Sequence, residues 1–273
     1  MIEFKNVSFA YGTLAAAQSM ADSASEDVMR ATESQSPHPM ALTLDNVSFA
    51  LKPGSRTVVL GHNGSGKSTL ANLCNASLFP LSGEVLVDGN SVTVVPSTQI
   101  SSVVGMVRQD PTAQLVCATV FDEVAFGPAN LGLPKEEIVS RVTQTLELCG
   151  IADLIDAPTH TLSGGQQQLV SIAATLSVHP RYLVLDEAFA QLDTRFRNHL
   201  SKLVNTLVAN GMGVLEISHS FESLPGADQV LVLEKGQLVW TGTSTEFLLD
   251  ANAIASAGFD DVLTATAQIA AQA

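Results

Sequence analysis

The chain is poor in cysteine, in positive charge and in long apolar runs, and each shortage excludes a class of protein. Its 273 residues include only 3 cysteines, none in a C-x-x-C pair, so we expect no disulfide framework. The 13 basic residues are outnumbered by 27 acidic ones, which argues against a general nucleic-acid surface. No stretch approaches the roughly 18 consecutive apolar residues of a membrane-spanning helix. Residues 1–6 are too polar for a signal peptide, so any membrane role must come through a partner.

The remaining composition suits one large α/β domain, with or without appendages. Hydrophobic residues make up 46% of the chain, which supports a substantial core. Cys74 and Cys149 lie in apolar segments, and we expect both to be small core residues.

Two segments near the start of the chain share the sequence Asn-Val-Ser-Phe-Ala, at residues 6–10 and 46–50. Apolar and polar residues alternate across residues 2–10 and 42–51, which predicts two strands. Because no longer repeat accompanies the echo, we interpret it as two neighbouring strands of one small antiparallel sheet, not as a domain duplication. Residues 12–40 are rich in Ala, Ser and acidic residues, which predicts an inserted surface loop with a marginal helix over 14–32.

From residue 57 onward, strand and helix patterns alternate. The predicted strands are residues 57–60, 83–87, 103–108, 182–186, 213–218 and 229–235. The predicted helices are residues 67–78, 135–148, 164–177, 194–209 and 245–249. Such alternation is typical of a mostly parallel sheet joined by crossover helices. The Ala-rich residues from 251 onward indicate little.

A glycine-rich loop joins the first of these strands to the first helix. Its residues are Gly61, His62, Asn63, Gly64, Ser65, Gly66, Lys67 and Ser68. Glycines let successive backbone N–H groups turn inward around an anion, and the helix start adds its positive dipole end. We predict that Lys67 reaches the β- and γ-phosphates of a nucleotide, that Ser68 binds Mg²⁺, and that Thr69 completes the nucleotide contacts. The strand–loop–helix context separates this motif from an ordinary glycine-rich turn.

The predicted strand 182–186 is apolar until it ends in two carboxylates, Asp186 and Glu187. Ligands gather at the carboxyl ends of strands in a parallel sheet. We expect Asp186 to support Mg²⁺, directly or through water, and Glu187 to polarise the water that attacks the γ-phosphate. Taken alone, the pair could equally be solvated acids at a strand end, but the phosphate loop favours the catalytic interpretation.

The segment Ser163, Gly164, Gly165 and Gln166 follows Leu162 and precedes a predicted helix. Ser163 is a natural N-cap, and the two glycines permit close approach of backbone to a phosphate. With this segment the chain resembles the nucleotide-binding subunits of ABC transporters, whose signature is Leu-Ser-Gly-Gly-Gln. In that family the signature of one subunit closes over ATP held by the phosphate loop of the other. The resemblance therefore implies ATP and Mg²⁺ as ligands and a head-to-tail dimer with two ATP sites.

Further residues match motifs of that family in their usual order. Gln109 matches the glutamine that contacts Mg²⁺ or the attacking water, and His219 matches the switch histidine that contacts the γ-phosphate. Asp193 belongs to the segment 191–193, which matches the loop that crosses the dimer interface. Tyr11 stands where the family stacks an aromatic ring on adenine; the alternative for a single tyrosine there is a structural role.

The chain departs from the family pattern at two places. Leu169 stands where an arginine is common, and Ala188 stands where a proline often follows the catalytic glutamate. Neither change removes a group that touches ATP in the family, although the first could weaken a contact that anchors the signature helix.

Residues 107–128 resemble the same region of energy-coupling-factor transporters and their cobalt and nickel relatives, except that Asp110 replaces the usual Asn. The resemblance implies a second ABC ATPase subunit, identical or different, and a transmembrane coupling protein. It also implies a small substrate-binding membrane subunit for a vitamin or metal ion. Four apolar residues could form the docking surface or could simply be core: Leu115, Val116, Val120 and Phe121.

The combined prediction is an α/β P-loop NTPase of the ABC cassette type over residues 1–248. It has a mostly parallel core sheet, a small antiparallel β-subdomain, a helical signature subdomain at about 110–170, and a tail over 249–273. The predicted function is the ATP-hydrolysing motor of an importer, peripheral on the cytoplasmic face of the cell membrane. The alternative is a soluble ABC-type ATPase acting on DNA or ribosomes. A single cassette, no sustained heptads and the acidic balance favour the importer.

Overall fold

The structure is a computed structural model that describes residues 1–11, 42–190 and 192–259. The loop predicted over 12–40, with its helix predicted at 14–32, lies outside the described residues, as do Gln191 and residues 260–273. In the part of the chain that the structure describes, no helix is long and apolar enough to cross a membrane.

The strands form two separate sheets. In chain order they are β1 (Ile2–Phe9), β2 (Leu44–Leu51), β3 (Arg56–Leu60), β4 (Ser82–Val87), β5 (Asn90–Ser91), β6 (Val104–Val107), β7 (Tyr182–Asp186), β8 (Gly213–Ile217), β9 (Gln229–Glu234) and β10 (Gln237–Gly242). One sheet has the order β2-β1-β4-β5, and the other has the order β10-β9-β3-β8-β7-β6. All pairings in the larger sheet are parallel except that of β10 with β9. The predicted fold class, a mostly parallel sheet beside a small antiparallel one, is confirmed.

The smaller sheet pairs the two copies of the repeated pentapeptide. β1 runs antiparallel to β2, with Val7 opposite Val47. The Asn6 N–H donates to Ser48 Oγ at 2.8 Å, and the Asn46 N–H donates to Ser8 Oγ at 3.0 Å. Both asparagines have a left-handed φ, 53° and 54°, which Asn adopts more readily than most residues. The echo therefore encodes a matched pair of strands, each kinked at its asparagine, as expected for neighbours in one sheet.

The helices flank the larger sheet. They are α1 (Lys67–Cys74), α2 (Ser97–Val103), α3 (Val120–Asn130), α4 (Lys135–Leu148), α5 (Gly164–Leu176), α6 (Thr194–Ala209), α7 (Ser244–Leu249) and α8 (Ala251–Ser256). Helices α3, α4 and α5 pack against one another. Their apolar faces form a buried cluster that also contacts β7 and α6, and that includes Val124, Val142, Leu146, Val170, Leu185 and Leu200. This packing positions the signature segment, because α5 begins at Gly164.

Helix α3 decides how the possible docking residues are used. Val120 is 0% exposed and belongs to the core, and Leu115 and Phe121 pack against the same cluster. Val116 is 70% exposed, and Phe126 is 51% exposed. The docking interpretation is therefore wrong for Val120, and Val116 is the member of the predicted set that lies open at the surface.

Cys74 and Cys149 are both buried and free, which confirms them as core residues. Burial raises the pKa of the Cys149 thiol to about 12, so the thiol stays protonated and unreactive near neutral pH. Burial likewise raises the pKa of the Cys74 thiol.

The helix predicted over 67–78 ends early, at Cys74. The Asn72 carbonyl oxygen accepts the N–H groups of Ser77 and Leu78, at 3.0 and 3.1 Å, and Ala76 takes a left-handed φ of 58°. The bond from Ser77 is the 6→1 bond of a Schellman motif, which here ends the helix without a glycine. The apolar residues beyond Cys74 extended the helical pattern in sequence but do not lie in the helix.

Candidate functional site

The loop 61–68 approaches neighbouring backbone closely at two glycines as it turns from β3 into α1. A Cβ atom at Gly61 would lie 2.1 Å from the Leu233 carbonyl oxygen, and one at Gly66 would lie 2.7 Å from the Thr43 carbonyl oxygen. Gly66 also has a left-handed φ of 103°. The path of the loop therefore requires glycine at these two positions.

The loop presents hydrogen-bond donors that other groups do not use. Among the described residues, the N–H groups of Gly64, Gly66, Lys67 and Ser68 donate to no other group. The buried Ser65 hydroxyl likewise has no hydrogen-bond partner among them. Backbone N–H groups at a helix start favour an anion, so the loop fits the phosphates of a nucleotide.

The Lys67 side chain folds back across the loop. Its Nζ donates to the carbonyl oxygens of Gly61 and His62, each at 2.9 Å. Burial lowers the pKa of Lys67, and the carboxylates of Glu187 and Asp186 act in the opposite direction. The ammonium group therefore lies near both carboxylates at the end of β7, which joins two motifs that are far apart in sequence.

Ser68 and Asp186 form a pair of hard oxygen donors. Ser68 Oγ donates to Asp186 Oδ1 at 3.2 Å. Burial raises the pKa of Asp186, opposed by the Ser68 hydrogen bond and by the charges of Lys67 and Arg108. The described ranges contain no group of three or more His, Cys, Asp or Glu side chains that could hold a metal. A hydroxyl and one carboxylate fit Mg²⁺ as an ion shared with bound phosphate and water.

Glu187 and His219 meet at the ends of two adjacent parallel strands, β7 and β8. His219 Nε2 lies 2.6 Å from Glu187 Oε1. Glu187 has a left-handed φ of 54°, and its N–H donates to the Ile217 carbonyl oxygen at 3.2 Å. A non-glycine residue in this conformation is uncommon, and such strain clusters at functional sites. The sheet order brings these two separately predicted site residues together.

Gln109 lies exposed in the loop that follows β6. Two glutamines hold the residue before it. Gln114 Oε1 accepts the Arg108 N–H at 3.0 Å, and Gln168 Nε2 donates to the Arg108 carbonyl oxygen at 3.4 Å. Asp110 Oδ1 accepts the N–H and hydroxyl of Thr112, at 2.9 and 2.7 Å. An asparagine Oδ1 can accept the same two bonds, which explains how this chain departs from the resembled pattern without losing the turn.

The Tyr11 side chain contacts the first helix of the site. Its hydroxyl lies 3.0 Å from Thr69 Oγ1, and its ring meets Phe9 edge to face with centroids 5.0 Å apart. Half of the tyrosine is exposed. The structure thus places Tyr11, which follows β1, against Thr69 in the first turn of α1.

The two glycines of the signature segment do different things. Ser163 Oγ accepts the Gln166 N–H at 3.4 Å, and the Ser163 N–H donates to Gln166 Oε1 at 2.9 Å, which forms a capping box. A Cβ at Gly164 would meet nothing within 4 Å, whereas one at Gly165 would lie 2.5 Å from the Phe196 ring. Gly164 therefore leaves the backbone open at the surface, and Gly165 admits Phe196 of α6.

This contact predicts unequal effects of alanine at the two glycines. Gly165→Ala should lower the free energy of unfolding by about 1–3 kcal/mol, because the added methyl group overpacks against Phe196. Gly164→Ala is the matched control and should change it by less than about 0.5 kcal/mol, as at an open surface position. Denaturant unfolding of both variants measures the difference, and equal values would contradict the assigned packing role.

Asp193 caps α6, because its Oδ1 accepts the Phe196 N–H at 2.9 Å. Its predicted partner in the motif, Gln191, lies outside the described residues. Within the described part of the chain, no hydrogen bond or ion pair joins the segment 163–166 or Asp193 to the phosphate loop. One copy of the chain therefore does not bring all the predicted nucleotide contacts into one place.

Several residues around the site carried no motif in the sequence. Arg56 and Glu216 form an ion pair that is 2% and 0% exposed, beneath the loop that carries His219. Gln114 and Gln168 hold the loop of Gln109, as described above. A buried charged residue inside an apolar strand, such as Glu216, is the one signal that sequence offered.

The sequence matches the family described as ABC transporter over residues 44–190. The energy-coupling factor transporter ATP-binding protein EcfA1 of Oceanobacillus iheyensis is 39% identical over 218 residues, which cover 80% of this chain and 78% of that protein. EcfA1 of Streptococcus thermophilus is 40% identical over 219 residues, which cover 80% of this chain and 79% of that protein.

A solved structure agrees with these relatives. CbiO1 from Clostridium perfringens, part of the ABC transporter complex CbiONQ, superposes with a TM-score of 0.76 at 30% identity, covering 93% of this chain and 92% of that one. The parallel sheet, its phosphate loop and the signature helix define an ATP-binding cassette. The chain belongs to the ABC transporter family, among the ATP-binding proteins of the energy-coupling factor type. The predicted family is confirmed, and with it the binding of ATP.

Proposed function

We propose that this chain is the ATP-hydrolysing motor subunit of a membrane importer of the energy-coupling-factor type. The observation that carries the proposal is the pair of Glu187 and His219, 2.6 Å apart, next to the phosphate loop. The loop offers free donors for phosphates, and the pair offers a carboxylate and an imidazole for the attacking water. Binding and hydrolysis are thus supported by one continuous site at the carboxyl ends of parallel strands.

Each predicted residue receives a role in that reaction. Glu187 polarises the water, and His219 contacts the γ-phosphate and orients Glu187. Lys67 neutralises charge on the phosphates, and the loop N–H groups bind their oxygens. Tyr11 stacks on adenine, supported by its half-exposed ring beside Thr69. A preorganised set of donors of this kind stabilises charge that develops in the transition state.

Mg²⁺ is the proposed metal, with Ser68 and Asp186 as its protein ligands and Gln109 as a further contact. When bound, the ion would neutralise charge shared between the β- and γ-phosphates. The raised pKa of Asp186 comes from burial, and a cation beside the carboxylate would reverse that direction.

The proposed working unit is a head-to-tail dimer with a second ABC ATPase subunit, identical or different. Ser163 is exposed, and Gly164 leaves open space around it. The signature residues Ser163, Gly164, Gly165 and Gln166, together with Asp193, would then close over ATP on the partner's phosphate loop. The separation of these residues from this chain's own loop supports that arrangement.

The proposed membrane partners are a transmembrane coupling protein and a small substrate-binding membrane subunit. The relatives named for energy-coupling factor transporters, and CbiO1 of the CbiONQ complex, support this assembly. A vitamin or transition-metal ion is the proposed cargo, and the chain would lie peripherally on the cytoplasmic face of the cell membrane. The proposed domain extends over residues 1–248, with the insertion at 12–40, the signature subdomain near 110–170 and the tail at 249–273.

The proposal is tested by purifying the tagged chain from membranes in mild detergent and identifying the co-purifying proteins by mass spectrometry. We expect a multi-helix membrane protein together with an ABC ATPase subunit. Val116→Asp should reduce recovery of the membrane protein, because Val116 is 70% exposed within residues 107–128, the region that resembles energy-coupling-factor transporters. Val94→Asp is the matched control, at an 81% exposed valine outside residues 107–128. Recovery of the chain without any membrane protein would instead favour the soluble ATPase.

A further inference from the structure

Arg197, on α6, makes two hydrogen bonds that join the loops on either side of the Glu187–His219 pair. Its Nη1 donates to Glu222 Oε2 at 2.5 Å, and its Nη2 donates to the Leu192 carbonyl oxygen at 3.0 Å. A guanidinium holds its donors in one rigid plane, so the two bonds set the relative position of their acceptors.

The first acceptor belongs to the loop that carries His219. The Glu222 N–H donates to Ser220 Oγ, and the Ser220 N–H donates to Ser218 Oγ, each at 3.1 Å. His219 lies between these two serines. Among the described residues, its own backbone makes no hydrogen bond. These local hydrogen bonds fix the backbone on both sides of His219, so a displacement of Glu222 would also displace His219.

The second acceptor belongs to the segment that begins at Glu187. The Ala190 N–H donates to the Glu187 carbonyl oxygen at 3.0 Å, and the Leu192 N–H donates to the Phe189 carbonyl oxygen at 3.3 Å. Leu192 is 6% exposed and packs in the helical core cluster. Residues 187–190 thus form a turn and Leu192 is anchored in the core, and Arg197 joins the histidine loop to Leu192.

Arg197, Glu222, Glu187 and His219 also line the same cavity, of about 540 Å³. Arg197 and Glu222 are 34% and 61% exposed. An ion pair this exposed contributes little to the stability of the fold. Its two acceptors, however, flank the two side chains proposed to act on water.

We propose that Arg197 is a positioning residue that keeps His219 Nε2 within hydrogen-bond distance of Glu187. The inference rests on the hydrolytic roles proposed above for that pair. Arg197 acts through the Leu192 carbonyl and the Glu222 carboxylate and not by direct contact with nucleotide or water. The geometry of a reacting pair affects turnover more than it affects nucleotide binding. We therefore expect loss of Arg197 to lower kcat more than it changes KM.

The test compares four variants in the transporter complex recovered from membranes. Arg197→Ala should lower kcat by about 10- to 100-fold, the loss typical of a displacement of about 1 Å in an active site, with KM for ATP little changed. Arg197→Lys should have a kcat between those of Arg197→Ala and the wild type, since an ammonium cannot reproduce both hydrogen bonds of the guanidinium. The double variant Arg197→Ala with Glu222→Ala should lose no more than the first substitution alone. Arg195→Ala is the matched control, an exposed arginine two residues away on the same helix, and should retain wild-type kcat.

A second measurement separates positioning from a general loss of structure. In ¹⁵N-histidine-labelled chain, the His219 Nε2 resonance, assigned by its loss in His219→Gln, should shift in Arg197→Ala and not in Arg195→Ala. The thermal unfolding midpoint should stay near that of the wild type. Wild-type kcat in Arg197→Ala, or an unmoved His219 resonance, would overturn the inference. If Glu187→Gln is inactive at the same time, the proposed function still stands. Full turnover in Glu187→Gln would instead contradict the proposed function itself.

Discussion

Replacing Glu187 with glutamine should lower the rate of ATP hydrolysis by about 10²–10⁴-fold, the usual contribution of a positioned general base. Glutamine retains the size of the side chain and an oxygen that can accept from His219, but it cannot take a proton from water. ATP binding should persist, because the phosphate loop and Lys67 are unchanged. Steady-state hydrolysis and equilibrium binding of ATP to the same preparation measure the two effects separately.

The control for this result is Glu136→Gln, at an exposed glutamate in the first turn of α4. It makes the same chemical change away from the site and should leave turnover as in the wild type. If Glu187→Gln hydrolysed ATP as fast as Glu136→Gln, Glu187 would not be the group that polarises water. If Glu187→Gln lost ATP binding as well, the carboxylate would be part of the binding site in place of the proposed role.

Replacing Arg56 with methionine should lower the free energy of unfolding by about 3–5 kcal/mol, because it leaves the buried carboxylate of Glu216 without its partner. Arg56 Nε and Nη2 donate to Glu216 Oε2 at 3.1 and 2.6 Å, and Nη1 donates to the Pro225 carbonyl oxygen at 3.0 Å. Denaturant unfolding at neutral pH measures the loss. A loss below about 1 kcal/mol, the value for an exposed pair, would contradict the burial of this one.

The deficit of Arg56→Met should also depend on pH. Burial raises the pKa of Glu216, and the charge of Arg56 opposes that rise. Without Arg56 the folded-state pKa of Glu216 rises further above its unfolded value, so protonation favours the folded state. The variant should therefore be most destabilised at alkaline pH and recover as the pH falls through that raised pKa. The double variant with Glu216→Leu should regain much of the stability at every pH, because no buried charge remains.

The phosphate loop was predictable because its chemistry is local. Gly61 and Gly66 are required by the close approach of backbone, and the donors they expose belong to consecutive residues. The same is true of Ser163, whose capping box with Gln166 needs only a spacing of three residues. The contact between Glu187 and His219 was not predicted. It arises because β7 and β8 are adjacent parallel strands whose carboxyl ends lie at the same edge of the sheet.

Helix α3 was not predicted, and its sequence shows why. Pro128 lies inside the helix and Gly127 precedes it, and both residues usually mark a helix end. A Cβ at Gly127 would lie 2.5 Å from Val178 Cγ1, so the glycine serves close packing and not a turn. Tertiary contact thus overrode the local preference. Strand β10 and helix α8 were also not predicted, because both are too short to show a clear periodic pattern. β10 is stabilised by pairing with β9, and α8 by packing against β9.

By itself, the sequence determined the family, the phosphate loop, the carboxylates at the end of β7 and the Ser163 cap of α5, because each depends on residues close together in the chain. Only the tertiary structure decided which apolar residues stay open, such as Val116, and which are core, such as Val120. It also decided that Arg56 pairs with Glu216 and that Arg197 spans two loops. These contacts join residues brought together by the order of the parallel strands, and long-range pairing of this kind leaves no periodic pattern in the chain.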